Sequence, residues 1–162
     1  MVTFILPGYS IKNKEWLEET AKNVKLDGQI RPVYWDHWDD PDQKFNAKEK
    51  AGLIERHSKG EQINIIAKSI GTLVAAEIIS KLPNQINKVI LCGIPVNDLN
   101  EREIEIIKKA ASSLGENVLI IQNDEDPHGA FNQIKNFGNT ISKTSNNHEY
   151  LYFEDFQKFL TP

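Results

Sequence analysis

The sequence predicts a three-layer α/β/α domain built on a minimal, roughly six-stranded parallel sheet. Two observations carry that prediction. Short apolar runs alternate six times with longer segments of helical character along the 162 residues. Four of these runs are continuous Val/Ile/Leu stretches without polar alternation, the pattern of strands covered by helices on both faces.

In chain order, the first strand is expected at Val2–Leu6, followed by a helix over Lys14–Val24. A second run, Ile30–Trp35, precedes a long polar and aromatic loop and a helix over Asn46–His57. The run Ile63–Ala67 enters a helix over Ile70–Lys81 within three residues, and Pro83 ends that helix. Lys88–Cys92 leads to a helix over Glu101–Ser113, where Asn100 is a natural cap and Glu101 and Glu103 suit the first turn. After Val118–Gln122 a helix is expected over Pro127–Phe137, with Pro127 at a first position that needs no N–H. A weaker strand, Thr140–Lys143, and a helix over Tyr150–Leu160 complete a single domain, 1–162.

Composition excludes several function classes. Hydrophobic residues make up 40% and charged residues 26%, ordinary for a globular chain, and the formal net charge is only -4. Nucleic acid and anionic membrane surfaces are therefore not expected partners. Cys92 is the only cysteine; it rules out an intrachain disulfide or a thiolate metal cluster, and its apolar run predicts a buried, inert thiol. Met1–Pro7 lacks the basic region of a signal peptide, and no apolar stretch approaches the ~20 residues of a membrane span. A cytoplasmic location is the expectation.

In an α/β sheet, chemistry is sought in the loops after the carboxyl ends of the strands. The most informative of these is Ala67-Lys68-Ser69-Ile70-Gly71. A strand that becomes a helix so abruptly needs small residues two positions either side of its apex, and Ala67 and Gly71 supply them. Ser69 at the apex is either an exposed nucleophile or simply an N-cap. The turn alone leaves both open. Lys68 either pairs with an acid at the rim of the site or lies in solvent, and solvent is favoured.

The turn resembles the nucleophile elbow of α/β-hydrolases, with Ala at the first glycine of Gly-x-Ser-x-Gly. That resemblance implies a fold without a cap domain here and a triad in the chain order Ser, acid, His. Asp126-Pro127, beyond the strand Val118–Gln122, resembles the acid turn; Asp124 is the fallback and Asp98, one strand earlier, a third choice. His148, after the last weak strand, stands where the base belongs. His37 precedes Ser69, His57 sits near a helix end, and His128 falls two residues from the acid inside an expected helix. The resemblance also implies an oxyanion hole from the N–H of Ile70 and that of Tyr9, in the loop Leu6-Pro7-Gly8-Tyr9-Ser10, where Pro7 replaces the histidine of many relatives.

With Glu15-Trp16-Leu17 and Tyr34-Trp35-Asp36-His37-Trp38, the chain is similar to the small retinoblastoma-binding-protein-type serine hydrolases. This implies a parallel sheet of strand order 2-1-3-4-5-6, activity on esters with peptidase activity in some members, and no metal or organic cofactor. The stretch from Gly93 to Asn100 is too short for a substantial lid, so a small-molecule ester is the expected substrate. Trp35, His37 and Trp38 offer either an aromatic wall to the site or packing of the loop Asp36–Lys44 over the sheet edge, and packing is favoured. Two other functions share the scaffold: a peptidase or amidase using the same residues, and a non-catalytic module with a protein partner.

Overall fold

The computed structural model describes residues 1–58 and 60–161. Six strands form one sheet: β1 (Val2–Leu6), β2 (Gln29–Pro32), β3 (Ile63–Lys68), β4 (Ile86–Cys92), β5 (Val118–Asn123) and β6 (Thr140–Lys143). Their order is β2-β1-β3-β4-β5-β6, and every pairing is parallel. This is the fold class and strand order expected from the sequence. Six helices pack on it: α1 (Asn13–Asn23), α2 (Ala47–Ser58), α3 (Gly71–Lys81), α4 (Glu101–Leu114), the single turn α5 (Phe131–Ile134) and α6 (Phe153–Leu160).

Strand periodicity sorts the core into two layers. Phe4, Leu6, Ile63, Ile65, Ala67, Val89 and Leu91 face α2, α3 and α4. Ile5, Ile66, Ile90 and Cys92 face α1 and α6 with Trp16, Leu17, Tyr150 and Phe156. Cys92 is buried, and burial pushes its thiol far above the ordinary range. It is a core residue. Helix α3 is buried from Gly71 through Ala76 and again at Ile78 and Ile79, as its nearly all-round apolar surface requires. Asn100 caps α4 in a full capping box, its side chain accepting from Glu103 N–H while the Glu103 carboxylate accepts from Asn100 N–H.

Three elements differ from expectation. Strand β2 ends at Pro32, so Val33–Trp35 belong to the connection and carry Trp35 into the core. The helix expected over 127–137 shrinks to α5. Its first half is a tight turn in which an Asp126 carboxylate oxygen accepts from His128 N–H at 2.8 Å, Gln122 Nε2 donates to the Gly129 carbonyl, and Ala130 is extended (φ -73°, ψ 150°), so the helix begins only at Phe131. Pro127 is thus a turn residue and not a helical first position. Likewise α6 starts only at Phe153, leaving Tyr150 free to enter the core.

Candidate active site

The backbone of the turn bears on the two readings of Ser69. Its φ is +55°, the only positive φ outside glycine among the described residues. A β-strand cannot become a helix in so few residues without one left-handed step, and that step costs a non-glycine residue of order 1–3 kcal/mol. Strain of this kind is retained where a side chain must point out of the sheet. Helix α3 takes its N-cap at Ile70, with no side-chain cap. Ser69 is therefore not an N-cap. Its N–H donates to Cys92 O at 2.9 Å, and its carbonyl accepts from Thr72 N–H and Oγ1–H at 2.9 and 2.7 Å. Gly71 is required, because a Cβ there would collide with Leu6 O and lie 2.8 Å from Pro7 O.

Asp126 and His148 meet directly. His148 Nδ1 lies 2.7 Å from Asp126 Oδ2, and the Asp126 side chain is wholly buried. An ionised carboxylate can only accept, so the bond puts the ring proton on Nδ1 and leaves Nε2 a lone pair in the neutral imidazole. That Nε2 is buried and has no partner. Burial alone would raise the Asp126 carboxyl, but hydrogen bonds from His148 and Tyr150, the charge of His148 and the His128 N–H together hold it below the usual range.

Ser69 and His148 share one corner of the fold. Cys92 O holds Ser69 N–H, and a Cβ at the next residue, Gly93, would lie 2.9 Å from His148 Cε1. Gly93 leaves the imidazole room to lie over the end of β4. No hydrogen bond joins Ser69 Oγ to His148 in this conformation; in unliganded sites such bonds are commonly long and tighten when substrate arrives.

The other candidate acids have different employment. An Asp124 oxygen accepts from Ser145 N–H at 2.7 Å, tying the end of β5 to the segment after β6. Asp98 binds His128 Nδ1 at 2.5 Å, and the His128 ring stands 4.4 Å from that of His148. His128 is therefore a neighbour of the site, although sequence spacing set it aside. Among the described residues, no three His, Cys, Asp or Glu side chains are grouped to hold a metal.

Sequence reasoning missed the residues that hold the Asp126–His148 pair. Tyr150 is fully buried and donates its O–H to Asp126 Oδ2 at 2.5 Å, while accepting from Asn123 N–H at 3.1 Å. Burial first, and the neighbouring carboxylate after it, push the phenol upward, so it stays a donor. Asn123 Nδ2 donates to Asn147 O and Glu149 O at 2.8 and 3.1 Å, clamping the backbone on both sides of His148. Tyr150→Phe should cost about 2–3 kcal/mol, since a carboxylate loses a donor and Asn123 N–H loses its acceptor. Its sign against pH is definite. Asp126 titrates lower in the folded state, so its stabilisation is present above the unfolded value of about 3.9 and fades as pH falls through the folded value. With one donor gone the folded value rises, and acid unfolding of the variant should begin at higher pH in melts across the acid range.

The loop after β1 is held from two sides. Trp35 Nε1 donates to Gly8 O at 3.1 Å and Pro7 O at 3.3 Å, and Trp38 Nε1 and His37 Nε2 donate to Tyr9 O at 2.7 Å each. Asn13 N–H and Nδ2–H both donate to Ser10 O at 2.9 Å. Four successive carbonyls are thus engaged, while neither the Tyr9 N–H nor the Ile70 N–H has a backbone acceptor among the described residues. The aromatic run therefore does more than pack an edge. It supports this loop by hydrogen bonding.

No protein-family model and no curated protein matches the sequence. Solved structures do match over nearly all of it. Est1E from Butyrivibrio proteoclasticus, solved with ferulic acid bound, superposes with a TM-score of 0.71 at 11% identity, covering 98% of this chain and 87% of that one. An α/β serine hydrolase without lid from Xanthomonas campestris gives 0.67 at 11% identity, covering 98% and 78%. A monoacylglycerol lipase from Paleococcus ferrophilus gives 0.60 at 11% identity, covering 97% and 91%. The chain has the α/β-hydrolase fold. Within this α/β-hydrolase scaffold, Ser69, Asp126 and His148 follow β3, β5 and β6 respectively. Among the described residues, no helix is long and apolar enough to cross a membrane.

Proposed function

We propose that the chain is a serine hydrolase that cleaves small carboxylic esters through an acyl-enzyme on Ser69. The observation that carries this reading is the left-handed Ser69, at φ +55°, on a corner shared with a His148 already oriented by a buried carboxylate. His148 Nε2 takes the Ser69 proton as Oγ attacks the ester carbonyl. The Ile70 and Tyr9 N–H groups receive the oxyanion, helped by the start of α3. His148 returns the proton to the departing alcohol, then activates a water that releases the acid and restores Ser69. Asp126 keeps the tautomer and stabilises the imidazolium.

Small substrates suit the surroundings. A cleft of about 350 Å³ runs from Ile70 between α2 and α4, lined by Phe45, Ala47, Leu73 and Ile106. That is the low end of small-molecule sites, which span roughly 300–1,000 Å³. The solved neighbours named for ester chemistry, one with ferulic acid bound and one a monoacylglycerol lipase, share the fold and are consistent with this chemistry. The similarity to retinoblastoma-binding-protein-type hydrolases rests on the sequence features alone, and a cytoplasmic location remains an expectation from composition. A fluorophosphonate should form a covalent adduct on the peptide containing Ser69, read by mass spectrometry, and a chain-length series of activated esters should show turnover falling as acyl groups lengthen. Wild-type protein that neither takes the label nor hydrolyses any member of the series overturns the proposal.

A further inference from the structure

Lys68 immediately precedes the nucleophile, and its expected place in solvent is wrong. Strand alternation puts it on the same face as Ile66, beneath α1, and it is only 7% exposed. Its ammonium lies 5.6 Å from the centre of the Trp16 ring and donates one hydrogen bond, to Asn13 Oδ1 at 2.9 Å. No carboxylate pairs with it within salt-bridge distance among the described residues. Burial pulls its pKa below the ordinary lysine range, partly opposed by the acidic groups nearby, Glu149 and Asp126 among them. For stability alone this is a poor use of a buried cation, which an apolar side chain of similar volume commonly replaces without loss.

Asn13 explains the arrangement. Its Nδ2 donates to Ser10 O, and its amide lies flat against the loop after β1: a Cβ at Gly8 would be 2.6 Å from Asn13 Oδ1. Lys68 thus reaches from the last residue of the nucleophile strand, through one amide, to the loop whose Tyr9 N–H is the second oxyanion donor. The three aromatic side chains hold that loop from the other side.

We propose that Lys68 is a positioning residue for the oxyanion hole, fixing through Asn13 the distance between the Ser69 elbow and the Tyr9 N–H. The inference rests on the serine-hydrolase reading above. Lys68 touches neither substrate nor the reacting atoms; it acts through the loop.

Lys68→Met keeps the length and apolar packing of the side chain but removes the hydrogen bond. Loss of a whole oxyanion donor costs about 10²–10³-fold in kcat, so a loosened one should cost about tenfold, with KM changed less than about twofold. The same loss is expected for Asn13→Ala, and the double variant should be no worse than either, because both break one connection. Asn13→Asp preserves the acceptor for Lys68 but loses the Nδ2 donor to Ser10 O, so it should lose activity as Asn13→Ala does. The decisive control is a thionoester of the same acid, whose sulfur gains little from N–H donors: there the penalty of both variants should nearly vanish. Melting curves check that each variant is folded, and Asn13→Ala, at a half-buried position, stands alone if Lys68→Met does not fold. Undiminished kcat in the folded variants, equal losses on oxoester and thionoester, or additive losses in the double variant would each overturn the inference. A wild-type protein without Ser69-dependent turnover would instead bring down the serine-hydrolase reading on which it rests.

Discussion

Ser69→Ala should lower ester turnover by about 10⁴-fold or more, with KM little altered and fluorophosphonate labelling lost. The proposed oxyanion donors and the cleft survive this change, so on the serine-hydrolase proposal some acceleration over water remains, but no acyl-enzyme can form. The folded state should not suffer. The Ser69 side chain makes no hydrogen bond in the structure, and its backbone is held by Cys92 O and Thr72. A variant that melts like wild type yet is inactive separates catalysis from folding. Ser69→Gly is an informative companion, because glycine adopts φ +55° without steric cost; it should be inactive and at least as stable as the alanine variant. Equal labelling of wild type and Ser69→Ala would remove Ser69 from the mechanism.

Asp126→Asn should lower kcat by about 10⁴-fold, the magnitude found when the triad acid of a serine protease is made an amide. The cause is the tautomer rather than the charge alone. An Asn amide can donate to His148 Nδ1, which then takes the lone pair and leaves the proton on Nε2, where it cannot accept from Ser69. The buried site makes matters worse, because one Asp126 oxygen now accepts from both His148 and Tyr150. Asp124→Asn and Asp98→Asn should stay within about threefold of wild type, since neither carboxylate binds His148. The three variants measured side by side assign the acid. Collapse of Asp124→Asn alone would transfer the role.

The sheet was legible because parallel strands buried on both faces leave uninterrupted Val/Ile/Leu runs, and the order of Ser69, Asp126 and His148 was legible because each follows its own run. What escaped was mostly long-range hydrogen bonding, which has no local spacing. Nothing in the sequence near Asp126 announces that Tyr150, 24 residues away, will donate to it. The indoles of Trp35 and Trp38 read as apolar bulk, and only the fold shows their N–H groups reaching backbone carbonyls 27–29 residues earlier. Lys68 was misjudged for a different reason. Its charge suggested solvent, although period-two alternation from Ile66 already placed it inward. The helix expected over 127–137 is shortened because a long-range bond from Gln122 takes the Gly129 carbonyl and Ala130 is extended, neither of which has a local sequence signal.

The loop from Pro7 to Ser10 has one more consequence. With its four carbonyls bonded in succession, no peptide plane there can rotate without breaking at least one of those bonds. A flipped plane would aim an oxygen, and so a repulsive dipole, at the carbonyl under attack. The protein meets that ordering requirement once, when it folds, and not again in each cycle. Binding of substrate should therefore trigger no slow rearrangement, and single-turnover traces should start without a lag.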